Sequence, residues 1–209
     1  MSTRVYECLK AIGERIIENN DFLTDLDREI GDADHGVNMA RGFQGVIEKA
    51  PQDEPDIGAV LKKTGMTLLS TVGGASGPLY GTAYMEAGKV LAGKTEMTAT
   101  DFLDGLDAAI AGIKKRGKAE KGEKTMLDAL LPARDAFAAK SAEGGSFGDA
   151  LSAACDAANE GVEYTKTIAA TKGRASYLGE RSIGHQDPGA TSATMTLEVI
   201  RDFVCNLNL

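Results

Sequence analysis

The stretch Thr98–Ile113, TATDFLDGLDAAIAGI, decides the fold class of this chain. Its large apolar residues recur three and four positions apart, which is the period of an amphipathic helix. Thr98 to Asp101 form a cap region at its start. The stretch therefore predicts a capped helix that buries one face against other helices.

The same periodicity recurs along most of the chain, and no segment shows sustained alternation of apolar and polar residues. Apolar residues make up 43% and charged residues 26% of the chain, as in ordinary globular proteins. We therefore predict an all-α fold, with about eight helices joined by short loops in a single domain over residues 1–209. The helices are predicted over 5–16, 39–47, 57–69, 79–91, 102–113, 126–139, 150–168 and 190–207.

Four glycine-containing segments separate these helices and hold most of the unusual polar residues. Inside a helix each glycine costs about 1 kcal/mol relative to alanine, so the 25 glycines are expected mainly between helices. If the four segments lie at one end of a helix bundle, they form one site. The glycines of these segments lie within 31–36, 73–77, 117–122 and 173–189.

The first segment and the residues just before it are strongly acidic, with five carboxylates in residues 25–34 and a single arginine to offset them. Asp32 and Asp34 lie between two glycines, which predicts a tight loop that can bring Asp27 to the same point. Carboxylates gathered in this way are hard oxygen ligands for Mg²⁺ or Ca²⁺. A solvated acidic turn is the alternative, but the adjacent His35 and Asn38 and the helix that follows favour a metal site.

The second segment, Ser70–Pro78, reads STVGGASGP and predicts a phosphate-binding loop. Glycines let the backbone approach an anion closely, and the following helix offers unpaired N–H groups at its positive end. Ser76 adds a hydroxyl that can bond a phosphate oxygen. No Gly-Lys-Ser/Thr sequence is present, so this is not a Walker loop. A plain interhelical turn is the alternative, and the neighbouring acidic segment favours the phosphate loop.

The third segment, Lys114–Met126, is basic at its start. Its cations can complement the C-terminal end of a helix and lie on a solvated surface. Alternatively, the segment forms the rim of a nucleotide site, with Thr125 and Met126 touching the ribose or base. By itself the pattern favours the solvated surface.

The fourth segment, Lys172–Ser192, is a long connection without helical periodicity, which is typical of a lid or a binding segment. Arg174 and Arg181 are candidates for neutralising phosphate oxygens. The two histidines of the chain, His35 and His185, both fall in these segments. A buried, hydrogen-bonded histidine is the usual interpretation of either one, and their shared location in candidate site segments argues for a functional role.

The bulk properties exclude several classes of protein. A net charge of −8 argues against a nucleic-acid or anionic-membrane surface. No apolar run approaches the ~18 residues that a membrane-spanning helix needs. The three cysteines are far apart in apolar helical patterns, which predicts buried reduced thiols and a cytoplasmic protein.

Three motifs together resemble the nucleotide-binding DhaL subunits of dihydroxyacetone kinases, and the resemblance spans essentially the whole chain. They are DREIGDADHG at 27–36, GGASGPL at 73–79, and GRASYLGERS at 173–182 followed by HQDPGAT at 185–191. The resemblance implies a barrel of eight antiparallel helices with the nucleotide at one end.

The resemblance also implies the ligands of the site. ADP or ATP is expected together with two Mg²⁺ ions, which Asp27, Asp32 and Asp34 would hold. No catalytic residue is implied on this chain beyond those that position the metal and phosphates. By motif position, the implied nucleotide-binding residues are His35, Gly36, Val37, Asn38, Ala75, Ser76, Gly117, Met126, Arg174, Asp187, Pro188 and Gly189.

The partners follow from the same resemblance. A separate DhaK subunit would hold dihydroxyacetone, and a phosphohistidine protein, DhaM, would rephosphorylate the bound ADP in a phosphoenolpyruvate-dependent system. A homodimer is expected. The sequence leaves open a kinase for a four-carbon ketose and a nucleotide-loaded module that binds a transcriptional regulator. A Ca²⁺-binding helical protein ranks last, because the aspartate spacing does not fit an EF-hand loop.

Overall fold

A computed structural model of the protein describes residues 3–207, and within that range the secondary structure consists of nine α-helices and one 3₁₀ helix, with no strand. The predicted all-α fold is confirmed. The α-helices are α1 Arg4–Glu18, α2 Asn20–Ile30, α3 His35–Lys49, α4 Ile57–Thr71, α5 Ser76–Val90, α6 Ala99–Gly117, α7 Leu127–Ala142, α8 Phe147–Thr165 and α9 Pro188–Asn206, and the 3₁₀ helix is Arg174–Ser182.

Eight of the α-helices form a closed ring. Helix α1 packs against α3, each helix from α3 to α8 packs against the next, and α9 returns to α1. Neighbours run antiparallel: the Tyr6 hydroxyl near the start of α1 donates to the carbonyl of Ile47 near the end of α3, at 3.1 Å. The ring is the antiparallel eight-helix barrel that the resemblance implies.

The ninth helix, α2, lies outside the ring and packs against α3 and α9. Sequence analysis placed these residues partly in an acidic loop, and that assignment is wrong. Helix α2 buries only Leu23 and Ile30, so its apolar stripe is too short to be recognised from periodicity. As a result Asp27 lies on the last turn of a helix.

Glycines inside α4 and α5 let these two helices approach closely. A Cβ added to Gly65 would lie 2.6 Å from the carbonyl oxygen of Gly81, and one added to Gly58 would lie 2.5 Å from that of Gly88. The expectation that the glycines lie mainly between helices is wrong, because fifteen of the 25 lie within the α-helices. The loss of helix propensity is offset by close backbone packing, which a side chain would prevent.

Three phenylalanines pack together at one end of the barrel, and an apolar cavity lies inside it. Phe102, Phe137 and Phe147 form tilted and edge-to-face pairs with ring centroids 5.0 to 6.0 Å apart, near the loops that precede α6 and α8. A cavity of about 450 Å³ lies inside the ring, with Tyr80 and Tyr84 among its lining residues. The opposite end of the barrel carries the four glycine-containing segments.

Two bulk predictions can be compared with the structure. All three cysteines are unpaired, but Cys155 alone is fully buried, whereas Cys8 is half-buried and Cys205 is exposed. The prediction of buried thiols is therefore wrong for Cys205, because this residue is on the exposed side of the last turn of α9 while its neighbour Val204 is buried. Across residues 3–207, no helix has the length and apolar character needed to cross a membrane.

Candidate functional site

The four glycine-containing segments meet at one end of the barrel. Helices α3, α5, α7 and α9 all begin at this end, because neighbours in the ring alternate in direction. His35 Nδ1 lies 3.0 Å from Ser76 Oγ, which joins the first two segments. A Cβ on Gly189 would lie 3.9 Å from that of Met126, and Gly117 packs against the first turn of α5.

Three carboxylates form an acidic cluster at the junction of α2 and α3. Asp27, Asp32 and Asp34 each offer one oxygen, and these three atoms lie within 4.8 Å of one another. Ala33, between the two loop aspartates, has a left-handed φ of 59°, which turns the chain sharply. The cluster contains only hard oxygen donors, and this donor set fits Mg²⁺ or another hard divalent cation.

Backbone N–H groups hold Asp27 in place. Its Oδ2 accepts the N–H of Asp34 at 2.9 Å and the N–H of His35 at 3.2 Å. The carboxylate therefore caps the positive end of α3, where an anion is favoured. A Cβ on Gly31 would lie 2.0 Å from Asp27 Oδ1, so a side chain there would displace the carboxylate.

The fourth segment is ordered, although sequence analysis predicted no helical structure in it. Residues 174–182 form the 3₁₀ helix, which packs against α2, and Gly173 and Gly179 adopt left-handed φ values of 63° and 56°. Arg174 Nε lies 2.7 Å from Asp32 Oδ2, which places this arginine at the acidic cluster. Arg181 is exposed and forms no ion pair within residues 3–207.

The glycine loop between α4 and α5 runs past Asn38. A Cβ on Gly73 would lie 2.7 Å from Asn38 Oδ1, and Gly74 has a left-handed φ of 64°. Arg41 donates from Nη2 to Asn38 Oδ1 at 2.6 Å and from Nε to the carbonyl of Thr71 at 2.9 Å. Arg41 therefore orients the Asn38 amide. Sequence analysis missed it, although it lies one helical turn after Asn38.

A chain of four side chains runs from the glycine loop into the barrel. His35 is 6% exposed; its Nδ1 contacts Ser76 Oγ, and its Nε2 lies 2.9 Å from Ser192 Oγ. Ser192 Oγ in turn lies 2.7 Å from the Tyr80 hydroxyl. Burial lowers the pKa of His35, despite the opposing effect of two nearby carboxylates, so the ring is neutral at pH 7. Sequence analysis did not single out Tyr80 or Ser192.

Lys124 is buried, although the sequence favoured a solvated surface for its segment. It is 1% exposed, and its Nζ donates to the carbonyls of Thr165, Ile168 and His185. It therefore ties the loop before α7 to the end of α8 and to the segment before α9. Burial lowers the pKa of Lys124, and nearby carboxylates oppose this shift. The His185 side chain is half-exposed, and its Nδ1 lies 3.7 Å from a Glu29 carboxylate oxygen.

Asp187 caps the N-terminus of α9. Its carboxylate accepts the N–H of Ala190 at 2.7 Å, and the side chain is 9% exposed. Burial raises the pKa of Asp187 to about 7, although the Ala190 N–H and the Lys124 ammonium favour the ionised form. A carboxyl group that titrates near pH 7 therefore lies at the site.

Asp128 orders the loop that leads to Met126. Its two carboxylate oxygens accept the N–H groups of Gly122 at 2.5 Å and Thr125 at 2.8 Å. Met126 is 5% exposed and packs beside Gly189. Sequence analysis missed Asp128, because its partners become apparent only when the loop is folded.

The remaining predicted site residues lie at the starts of α3, α5 and α9. A Cβ on Gly36 would lie 2.0 Å from the carbonyl oxygen of Asn20, so this glycine permits the close contact of α2 with α3. Val37 is 50% exposed at the start of α3. Pro188 is buried as the first residue of α9, where its missing N–H costs nothing. Ala75 is the residue from which α5 starts.

Comparison with known proteins identifies the family. The DAK2 domain model matches residues 29–202. The PEP-dependent dihydroxyacetone kinase ADP-binding subunit DhaL of Escherichia coli K12 is 47% identical over 203 residues, covering 95% of both chains. The PTS-dependent counterpart from Lactococcus lactis is 40% identical over 199 residues, again covering 95% of both chains.

Solved structures show the same fold. The dihydroxyacetone kinase of C. freundii in its native form aligns over 95% of this chain and 34% of its own, with a TM-score of 0.72 and 25% identity. The same kinase in complex with AMP-PNP and Mg²⁺ aligns with a TM-score of 0.73 and 24% identity, over 95% of this chain and 33% of its own. With the family model and the DhaL relatives, these matches show that the chain belongs to the DAK2 domain family.

Proposed function

We propose that this chain is the ADP-binding subunit of a phosphoenolpyruvate-dependent dihydroxyacetone kinase. In this role it transfers a phosphoryl group from a Mg²⁺-bound nucleotide to dihydroxyacetone held on a DhaK subunit, and DhaM rephosphorylates the ADP in place. One observation carries the proposal: the three carboxylates Asp27, Asp32 and Asp34 gather within 4.8 Å at the end where four helices begin.

The acidic cluster is proposed to hold two Mg²⁺ ions. When bound, such ions offset the negative charge of phosphate oxygens during phosphoryl transfer. The chain contributes a fixed Asp27, which two backbone N–H groups hold, and a loop that carries Asp32 and Asp34.

Helix N-termini and the glycine loop are proposed to bind the phosphates. The first N–H groups of α5 are unpaired within the helix, and the aligned backbone dipoles make this end positive. The loop of Gly73 and Gly74 gives the phosphates close access to the backbone, and the Ser76 hydroxyl and Asn38 amide lie beside it. Arg174 adds a cation from the 3₁₀ helix.

The nucleoside is proposed to lie between the α6–α7 connection and the start of α9. Gly117 and Met126 come from that connection, and Asp187–Gly189 form the start of α9. The Lys124 and Asp128 networks fix the two surfaces relative to each other. A pocket with rigid walls favours retention of ADP, because little conformational entropy is lost on binding.

The chain needs no nucleophile of its own, since positioning and electrostatic stabilisation supply most of the rate in phosphoryl transfer. The acceptor hydroxyl would come from DhaK, so activity requires that partner. Unpaired cysteines are compatible with a reducing cytoplasm. The single nucleotide-binding domain over 1–209, the homodimer, the four-carbon acceptor and the regulatory role remain predictions.

Nucleotide-dependent stabilisation tests the proposal. ADP with Mg²⁺ at 100 times its Kd should stabilise the wild-type protein by about 2.7 kcal/mol, and EDTA should remove this effect. Asp32→Asn should lose the stabilisation and the turnover measured with DhaK and DhaM. Asp25→Asn is the matched control, because Asp25 is an exposed α2 carboxylate that pairs with Arg28. Retention of ADP by Asp32→Asn through gel filtration would contradict the metal assignment.

A further inference from the structure

Four hydrogen-bonded side chains, Tyr80, Ser192, His35 and Ser76, lie behind the glycine loop. The direction in which they donate their hydrogens decides what Ser76 can offer to a phosphate. We propose that Tyr80 and Ser192 are positioning residues that place the His35 proton on Nδ1, so that the Ser76 hydroxyl keeps its own hydrogen for a phosphate oxygen. The inference rests on the proposed function, in which Ser76 meets the phosphates. It concerns two residues that do not reach the nucleotide themselves.

The first hydrogen donor among these side chains is Tyr80. This phenol is 5% exposed, and among residues 3–207 its hydroxyl has Ser192 Oγ as its hydrogen-bond partner, at 2.7 Å. A buried tyrosine hydroxyl generally donates its hydrogen to an acceptor, because an unused O–H is costly in an apolar environment. Tyr80 therefore donates, and Ser192 Oγ accepts.

Ser192 then has one hydrogen and two possible acceptors. His35 Nε2 lies at 2.9 Å and the carbonyl of Gly189 at 3.2 Å. The Gly189 carbonyl is also positioned to accept a backbone N–H within α9, so it does not depend on Ser192. The contact to His35 Nε2 is the shorter one and joins two buried side chains, so we assign the Ser192 hydrogen to it.

The tautomer of His35 follows from this. A neutral imidazole has one N–H and one lone pair, so a ring that accepts at Nε2 must donate at Nδ1. Nδ1 then donates to Ser76 Oγ at 3.0 Å, and the hydrogen of Ser76 is left for the phosphate side. In the opposite tautomer, Nδ1 would accept the Ser76 hydrogen. Ser76 Oγ would then present only lone pairs to the phosphate, and the negative phosphate would repel them.

Nitrogen-15 spectra of the histidine rings test the tautomer directly in the full chain. The chain has two histidines, so a His185→Gln variant assigns both signals. We expect His35 to be protonated at Nδ1 and bare at Nε2, and Ser192→Ala to shift it toward the other tautomer or a mixture. A wild-type ring protonated at Nε2 would overturn the inference, whether or not ADP binds.

Binding measurements test the consequence. Ser192→Ala and Tyr80→Phe should weaken Mg²⁺–ADP binding by roughly tenfold and three- to tenfold respectively, and leave adenosine binding unchanged. In a Ser76→Ala background, neither change should have a further effect, because the bond they support is gone. If either change still weakens Mg²⁺–ADP binding in the Ser76→Ala background, its role is merely structural and the inference is overturned.

Two control variants each remove a buried hydroxyl that is not hydrogen-bonded to Tyr80, Ser192, His35 or Ser76. Tyr84→Phe removes a buried hydroxyl one helical turn from Tyr80 that has no hydrogen-bond partner among the described residues. Thr194→Val removes a buried α9 hydroxyl whose only hydrogen bond within residues 3–207 goes to the Ala190 carbonyl of its own helix. Both should bind ADP like the wild type, and circular dichroism should confirm folding of every variant. If the wild type binds no ADP, the proposed function fails, while the tautomer measurement still decides this inference.

Discussion

Arg174 Nε lies 2.7 Å from Asp32 Oδ2, so the 3₁₀ helix places a guanidinium against one of the three proposed metal ligands. A divalent cation at Asp32 must compete with this charge. The same arginine is proposed to contact the nucleotide phosphates. The ion pair therefore links the 3₁₀ helix to the binding of a cation at the proposed metal site.

Arg174→Ala should raise the affinity of the nucleotide-free protein for Mn²⁺ or Mg²⁺ and lower the affinity for ADP. The Arg174 side chain is 66% exposed, and exposed ion pairs contribute at most about 1 kcal/mol, so the gain should be up to about fivefold. Titration calorimetry measures both affinities. Arg181→Ala is the control, since this arginine lies on the same 3₁₀ helix and has no ion pair in the described range. Equal metal and ADP affinities for the two variants would contradict the role assigned to Arg174.

Asp187 should make stability depend on pH in the acid-to-neutral range. Its folded-state pKa of about 7 lies above the ordinary value of 3.8, so between these values the native state holds a proton that the unfolded state has lost. Its contribution to stability is complete below about pH 4 and is lost as the pH rises through 7.

Asp187→Asn should therefore remove this pH dependence while keeping an effective N-cap. The free energy of unfolding of the wild type, relative to the variant, should fall by at most about 1.4 kcal/mol per pH unit from pH 4 to 7. Urea unfolding of both proteins at several pH values gives the difference. Parallel curves would show that Asp187 is ionised throughout.

Lys124→Met should destabilise the protein by about 3 kcal/mol, because one buried and two partly buried carbonyls lose their donor and Asp187 loses its neighbouring cation. Methionine retains the apolar stem, so lost packing contributes little. The urea midpoint measures the effect. Lys121→Met in the same loop is the control, since Lys121 is exposed and should change stability by less than about 0.5 kcal/mol. Similar midpoints for the two variants would refute a role for the buried ammonium.

Gly65→Ala should destabilise the barrel by about 2 kcal/mol, although alanine has the higher helix propensity. Its Cβ would lie 2.6 Å from the Gly81 carbonyl oxygen, so α4 and α5 must move apart. Gly105→Ala is the control in α6, where the nearest atom, 3.2 Å away, belongs to the flexible Leu91 side chain. Thermal unfolding should give a lower midpoint for Gly65→Ala than for Gly105→Ala. A Gly65→Ala protein as stable as Gly105→Ala would contradict the close-packing argument.

Much of the site could be anticipated from local sequence. The acidic loop, the glycine loop and the Asp187-Pro188-Gly189 sequence at the start of α9 each span only a few residues, and the structure brings all three to one end of the barrel. Helix α2 was not anticipated, because its burial depends on contacts with α3 and α9 rather than on its own periodicity. The roles of these residues toward a nucleotide remain predictions.

The sequence by itself determined that the chain is all-α and where its polar loops lie, since helical period, caps and glycine turns depend on residues three or four positions apart. Only the tertiary structure decided which of those polar residues work together. His35 meets Ser192 across 157 positions and Lys124 meets Thr165 across 41, and no local pattern encodes such pairs. The closed ring of helices, which buries a common apolar interior, brings them into contact.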